Sequence, residues 1–223
     1  MIDFHTHILP EMDDGSDGIE TSLGLLKMLE NDDVKLVCLT SHFYPSSESI
    51  DEFIARRKKA VKKLNYRGNL KLKLGAEVRY YHGISVSEDI DKLLLQGTKI
   101  LLVELPFVGS ITNSMIEEII QLRLKGYDVV LAHIERYNLS HDTLDHLYNF
   151  GIKFQMNTSA ITGFFSGMKA IKLIKEGYIY YLGSDCHNMV TRKPNFGEAI
   201  EKLRKILKVQ DVSIFIKGLY NIK

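Results

Sequence analysis

The sequence predicts an α/β fold in one domain: seven short strands alternate with helices, and a parallel sheet closing into an incomplete barrel is the economical way to arrange them. Three observations carry this. Short β-branched or apolar runs recur along the chain. Longer stretches with helical periodicity lie between them. Several of those stretches stop at a glycine, at Gly126, Gly151 and Gly177, where a helix end is expected.

In chain order, Ile2–Phe4 is the first strand and TSLGLLKMLEN the first helical pattern. Val34–Leu39 follows, then the helical DEFIARRKKAVKKLN and the candidate strand Leu70–Val78. Ile100–Leu105 precedes SMIEEIIQLRLKGY, and Asp128–Ala132 precedes TLDHLYNFG. Lys153–Met156 leads into GMKAIKLIKEGY, and Ile179–Leu182 is the seventh strand. Asn195 to Lys208 reads as a final amphipathic helix, and DVSIFIKGLYNIK as a closing cap. No Pro/Gly/Ser-rich linker or residue-level repeat interrupts the pattern.

Composition narrows the function. At 223 residues with 45% hydrophobic content, a packed core is expected and disorder is not. A net charge of +1 argues against nucleic acid as an obligate partner. The two cysteines, Cys38 and Cys186, imply no disulfide framework and fit a reducing compartment. The opening MIDFHTH has no signal-peptide features, and no apolar run approaches the roughly 20 residues of a membrane span. A soluble, cytoplasmic protein without membrane insertion is the expectation.

Side chains able to bind metal sit at the strand ends. His5 and His7 follow the first strand, His42 the second, and Glu77 and Glu104 end the third and fourth. His133 ends the fifth, Asn157 the sixth, and Asp185 and His187 follow the seventh. In a barrel all of these converge on one mouth. Alternate residues of an extended segment face the same way, so His5 pairs with His7, and Asp185 with His187. Imidazoles with carboxylates suit Mn, Fe or Zn better than thiolate-preferring ions, and the number of carboxylates favours Mn²⁺. The turn EMDDGSD places Asp13 and Asp14 near the first pair.

These motifs, MIDFHTHILPEMDDGS, TSH at 40–42, GAE at 75–77, AHIERY at 132–137 and SDCHN with Arg192, resemble the PHP (polymerase and histidinol phosphatase) superfamily of metal-dependent phosphoesterases. Within it, the chain is similar to the bacterial tyrosine phosphatases of capsule and exopolysaccharide loci, the CpsB/YwqE type. The resemblance implies a distorted (β/α)7 PHP barrel over residues 1–223 and three divalent ions, with Mn first and Fe, Zn or Mg as alternatives. It implies one ion on His5, His7, Glu77 and Asp185. A second would share Glu77 with Glu104 and His133, and a third would lie on Asp14, His42 and His187. Phosphate-binding arginines fall on Arg136 and Arg192. The implied reaction is attack of metal-activated hydroxide on phosphotyrosine. The implied partner is a phosphotyrosine protein, the C-terminal tail of a bacterial tyrosine kinase. A small phosphomonoester such as histidinol phosphate, or a non-catalytic module, are the alternatives.

SDCHNMVTR also contains a cysteine followed at the sixth position by arginine, the minimal signature of a cysteine phosphatase. Such a phosphate loop needs positive φ angles that glycine supplies, and none lies between Cys186 and Arg192. Alternation also turns the thiol away from its neighbours, so Cys186 reads as a packing residue. Among the remaining candidates, Tyr80, Tyr81 and Phe107 could rim a phosphotyrosine site. His82, His141 and His146 read as surface residues, Asn157 as a hydrogen-bonding group of the mouth, and the basic ARRKKAVKKLNYRG as a solvated helix face or a docking site for an acidic tail.

Overall fold

The structure, a computed structural model, describes residues 1–107 and 111–207, the side chains of 164–166 excepted. All its strand pairings are parallel, and they fall into two groups. β1 (Ile2–Thr6), β2 (Leu36–Leu39) and β4 (Lys71–Leu74) form one. β3 (His42–Phe43), β5 (Glu77–Arg79), β6 (Ile100–Glu104), β7 (Asp128–Leu131), β8 (Lys153–Asn157) and β9 (Ile179–Gly183) form the other. The ring closes between β9 and β1, where Thr6 bridges Cys186, the Asp185 amide donates to the His5 carbonyl (2.8 Å), and the His7 amide donates to the Cys186 carbonyl (3.0 Å). Gly183 permits this approach: a Cβ there would lie 2.5 Å from that of His5. The result is a distorted seven-stave barrel in which β2/β3 and β4/β5 are each one broken stave.

The expected strand Leu70–Val78 is therefore corrected to two short strands, β4 and β5, that belong to different sheets. The break falls at Gly75–Ala76, beside the parallel break at Thr40–Ser41. Backbone groups leaving the ladder must find other partners. The Glu77 amide donates to the carbonyls of Thr40 and Ser41 (3.1 Å each), and the Gly75 carbonyl accepts from Arg57 Nη1 (2.6 Å). Arg57 lies in α2 (Ile50–Leu64), is buried, and also reaches the Lys92 carbonyl. One member of the basic helix is thus a structural bolt and not part of a solvated face.

The remaining helices are α1 (Ile19–Asn31), α3 (Asn113–Leu124), α4 (His141–Asn149), α5 (Thr158–Thr162), α6 (Phe164–Lys175) and α7 (Phe196–Ile206). Ser49 and Glu52 make a reciprocal capping box at the start of α2, and Thr112 and Ser140 cap α3 and α4. Gly126, Gly151 and Gly177 adopt φ of 96°, 81° and 82°, so α3, α4 and α6 each end in a left-handed turn that feeds the next strand. The expected final helix is found as α7, while Lys208 and the segment DVSIFIKGLYNIK lie outside the described residues.

Two cores result. Inside the barrel, Ile2, Phe4, Cys38, Leu102, Val130 and Tyr181 pack together, with Phe4 stacked on Tyr181 at 3.9 Å. Between staves and helices lies the larger cluster, which includes Cys186. Both cysteines are free and buried. No helix among the described residues is long and apolar enough to cross a membrane.

Candidate metal centre

The C-terminal ends of the staves bring His5, His7, His42, Glu77, Glu104, His133, Asp185 and His187 into one buried pocket, with Asp14 at its open edge. Glu77 is the hub. Its Oε2 lies 3.0 Å from His5 Nε2, 3.2 Å from His7 Nε2 and 3.0 Å from His42 Nδ1, and its Oε1 lies 2.9 Å from His133 Nε2. Asp185 Oδ1 is 3.4 Å from His7 and 3.8 Å from His5. Glu104 Oε1 is 3.5 Å from His133, and Asp14 Oδ1 is 3.3 Å from His187 Nε2.

Which nitrogen each ring offers is decided by what holds its other nitrogen. His5 Nδ1 donates to Gln155 Oε1 (3.0 Å), His7 Nδ1 to Asp13 Oδ2 (2.8 Å) and His187 Nδ1 to the Asp185 carbonyl (2.9 Å). His133 Nδ1 meets the Tyr137 hydroxyl at 3.2 Å. All four rings therefore present Nε2 to the pocket. Gln155 is oriented in turn, since its Nε2 donates to Asn157 and Asn157 Nδ2 donates to Asp185 Oδ2 (2.8 Å). His42 differs: Nδ1 faces Glu77, and Nε2 lies 3.7 Å from Asp14.

These lone pairs test whether cations fit. His5 Nε2 and His7 Nε2 face each other at 3.0 Å beside a carboxylate, while both Nδ1 atoms are committed as donors. Glu77 Oε2, His42 Nδ1 and His187 Nε2 are buried and face other groups of the pocket without a directed hydrogen bond among the described residues, and Glu104 Oε2 meets only Arg79 Nη1 from the rim, at 2.8 Å. Unsatisfied groups of this kind cost free energy unless something shared by all of them sits between. Three sets have donor atoms close enough for one ion: His7, Asp14, His42 and His187; His5, His7 and Glu77; and His42, Glu77 and Glu104. The donor set fits divalent cations.

Electrostatics agree with the geometry. Burial alone would lift the Glu77 carboxyl, but His5 and His42 outweigh it and hold the group well below the carboxylate range. Burial likewise opposes ionisation of Asp185, and His5 and His7 again prevail. Burial works against a charged His133, yet Glu104 and Glu77 raise its pKa to about 9. Arg136 and Arg192 grip Asp185 from the rim, Nη2 to Oδ2 at 2.6 Å and Nη2 to Oδ1 at 2.9 Å.

Two positions use unusual backbone. His133 has φ 33° and Asp185 φ 52°. The expected extended alternation at Asp185–His187 is thus replaced by a left-handed turn, although the two side chains still meet, Oδ1 to Nδ1 at 3.6 Å. Strained backbone of this kind concentrates at functional sites and must be held by its surroundings. Here the His133 amide donates to Gln155 Oε1 (2.7 Å), and Asp185 is tied to β1 as described. Cys186 is wholly buried, and burial followed by the Asp3 charge pushes its thiol well above the ordinary value. It has neither the access nor the acidity of a nucleophile.

The roles of several groups escaped the sequence reading. Asp13, not only its neighbour Asp14, is built in: it holds His7 and accepts from the His42 amide (2.8 Å). Arg79, two residues beyond Glu77 and so on its face of the strand, pairs with Glu104 at 2.8 Å. Alternation would have found it. Asp3 ties β1 to β9 through the Ser184 amide (2.8 Å) and hydroxyl (2.6 Å), and burial raises its pKa to about 7. The expected rim is partly different. Tyr80 turns to Glu118, whereas Phe107 lies 5.1 Å from the His133 ring and Tyr44 stacks 4.8 Å from that of His42. His82 pairs with Glu118 on the surface, and His141 with Glu176, both away from the pocket.

Comparison with known proteins bears on this pocket. Residues 1–218 match the model of the family described as capsular polysaccharide synthesis, CpsB/CapC. The tyrosine-protein phosphatase YwqE of Bacillus subtilis (strain 168) is 31% identical, the match covering 92% of this chain and 84% of the relative. The tyrosine-protein phosphatase CpsB of Streptococcus agalactiae (serotype V) is 27% identical, covering 100% and 98%. Among solved structures, one described among YwqE of B. subtilis and CpsB of Streptococcus pneumoniae, "unique metal-dependent tyrosine phosphatases", superposes with a TM-score of 0.84 at 26% identity, covering 98% of this chain and 92% of the other.

Proposed function

The chain belongs to the CpsB/CapC family of capsular polysaccharide synthesis, and from that membership and the pocket we propose a metal-dependent protein-tyrosine phosphatase. The observation that carries this reading is the buried convergence on Glu77 of four imidazoles, His5, His7 and His133 through Nε2 and His42 through Nδ1, with two arginines above it. Its likeness to metal-dependent tyrosine phosphatases over 98% of the chain supports the same conclusion.

His5, His7, Glu77 and Asp185 would hold one ion. Glu104 and His133 would hold a second shared with Glu77, and Asp14, His42 and His187 a third. We assign three sites and favour Mn²⁺ over Fe, Zn or Mg, because hard carboxylate oxygens accompany the imidazoles. When bound, such ions make water a nucleophile near neutral pH and offset the negative charge of the phosphoryl group.

The protein's own residues supply grip and exclusion. Arg136 and Arg192 each spend Nη2 on Asp185, and Arg192 Nη1 also lies 3.7 Å from Asp14 Oδ2, yet both side chains are more than a third open to solvent and can turn donors to phosphate oxygens. Asp185 thereby positions both cations above the pocket. The burial of Glu77, Glu104 and His133 keeps bulk water from the donors. A phenol, with a pKa of ~10, leaves more readily than an alkyl alcohol and needs little help from a general acid. The substrate we propose is the phosphorylated C-terminal tail of a bacterial tyrosine kinase in control of capsule or exopolysaccharide synthesis, with the reaction in the cytoplasm.

Chelation should abolish hydrolysis of p-nitrophenyl phosphate, Mn²⁺ should restore it, and Cys186→Ser should stay active. An inactive Cys186→Ser protein with unchanged metal content would overturn the assignment. Turnover of a phosphotyrosine peptide well above that of histidinol phosphate is expected, and the reverse order would move the chain to small phosphomonoesters.

A further inference from the structure

We propose that the cleft beside Arg136 seats the aryl ring of phosphotyrosine and that Phe107 is its selectivity-determining wall; this rests on the phosphatase reading above. The cleft, of about 450 Å³, is walled by Pro106, Phe107, Ile111, Ile116, Tyr137 and Leu139. Arg136 is part of its lining. The same arginine also lines a smaller cleft, about 260 Å³, that contains Asp185 and Arg192. One guanidinium thus divides a charged compartment from one in which aromatic and aliphatic walls alternate with neutral polar groups.

That division matches the shape of the substrate. Phosphotyrosine is a dianion joined directly to a flat apolar ring. With its phosphate between Arg136 and Arg192, the ring must come to rest within one ring's length of Arg136. On the apolar side the first surface it meets is Phe107. The Phe107 ring lies 5.6 Å from Arg136 Cζ and 5.4 Å from Arg79 Cζ. It stacks on Tyr137 at 5.8 Å with 20° between planes.

Phe107 is therefore fixed by its neighbours yet remains 45% exposed. A scattered exposed phenylalanine means little. One locked against two arginines and a ligand histidine, at the junction of two clefts, is a prepared contact for another ring. The rim beyond it is polar, with Asn138 and Ser140, and suits the peptide backbone that carries the ring. An alkyl phosphate would leave the apolar slot empty and forfeit that contact.

Calorimetric titration of the Mn²⁺-loaded protein with phenylphosphonate and with methylphosphonate separates ring from anion. Wild type should prefer the phenyl compound. Phe107→Ala should cut that preference about tenfold, Ile116→Ser should cut it less, and Phe107→Tyr should keep it. Equal weakening of both ligands by Phe107→Ala would mean that the ring only steadies Arg136 and His133, and would overturn the inference. So would equal binding of the two phosphonates by a wild type that hydrolyses phosphotyrosine. A wild type that binds neither phosphonate and hydrolyses no phosphotyrosine would remove the phosphatase reading itself.

Discussion

The two ends of the barrel differ in a way that cavity size does not reveal. At the N-terminal end a cleft of about 580 Å³ lies among Thr98, Lys99, Asp128, Lys153 and Tyr181, roomier than either cleft at the mouth. Its charges are ordinary. Lys99 is exposed, Asp128 pairs with Arg123 at 3.5 Å, and Lys153 sits 4.5 Å above the Tyr180 ring. Each is satisfied by water or one neighbour. At the mouth, ionisable groups are taken out of water and aimed at one another, and buried atoms of His42, Glu77 and His187 find no directed hydrogen bond among the described residues. Burying charge is costly unless it is compensated. Buried groups that want a common partner mark the working end, and open volume does not.

The contrast can be broken most forcefully at Glu77. Glu77→Gln removes the charge that four imidazoles share, so metal content and kcat should collapse. The activity loss should exceed the 10–100-fold typical of an outer partner. Elemental analysis beside p-nitrophenyl phosphate kinetics checks this. Next comes Arg192→Lys: a point charge replaces a bidentate fork, and kcat/KM should fall about 100-fold with metal content unchanged. Asp13→Asn should be milder, weakening metal affinity about 10–100-fold, because it loosens His7 without removing a donor. A competition titration with a metallochromic chelator reads it out. At the opposite end, Lys153→Ala should leave kcat/KM within about twofold of wild type. A large loss there would erase the distinction between the two ends.

What the chain discloses before folding follows the same division. Helix stops at Gly126, Gly151 and Gly177 were legible because left-handed φ angles have a residue signature. His5 and His7 were legible because a strand's period of two puts them on one face. The split of Leu70–Val78 was not, because Leu70, Leu72 and Leu74 alternate with lysines as one strand would, and a lone Gly75 fits a bulge equally well. The carbonyl freed at the break is held by Arg57 from the preceding helix, a contact that no strand pattern announces. Helix α5, five residues with no amphipathic face to speak of, left no periodic trace. Asp13 and Asp14 are adjacent and chemically identical; only the turn decides that one is buried against His7 and the other stays 62% exposed beside His187. Asp185 faces His187 as expected, but through a left-handed turn that no pattern of side chains announces.

The proposal stands on side chains from six of the seven staves sharing cations around Glu77. Anomalous diffraction at the manganese edge, on crystals of active protein grown with Mn²⁺, tests it directly. The account predicts peaks beside the Glu77 carboxylate, among His5, His7, His42 and His133. An active crystal form with no peak there, or with manganese bound only elsewhere on the molecule, would contradict it.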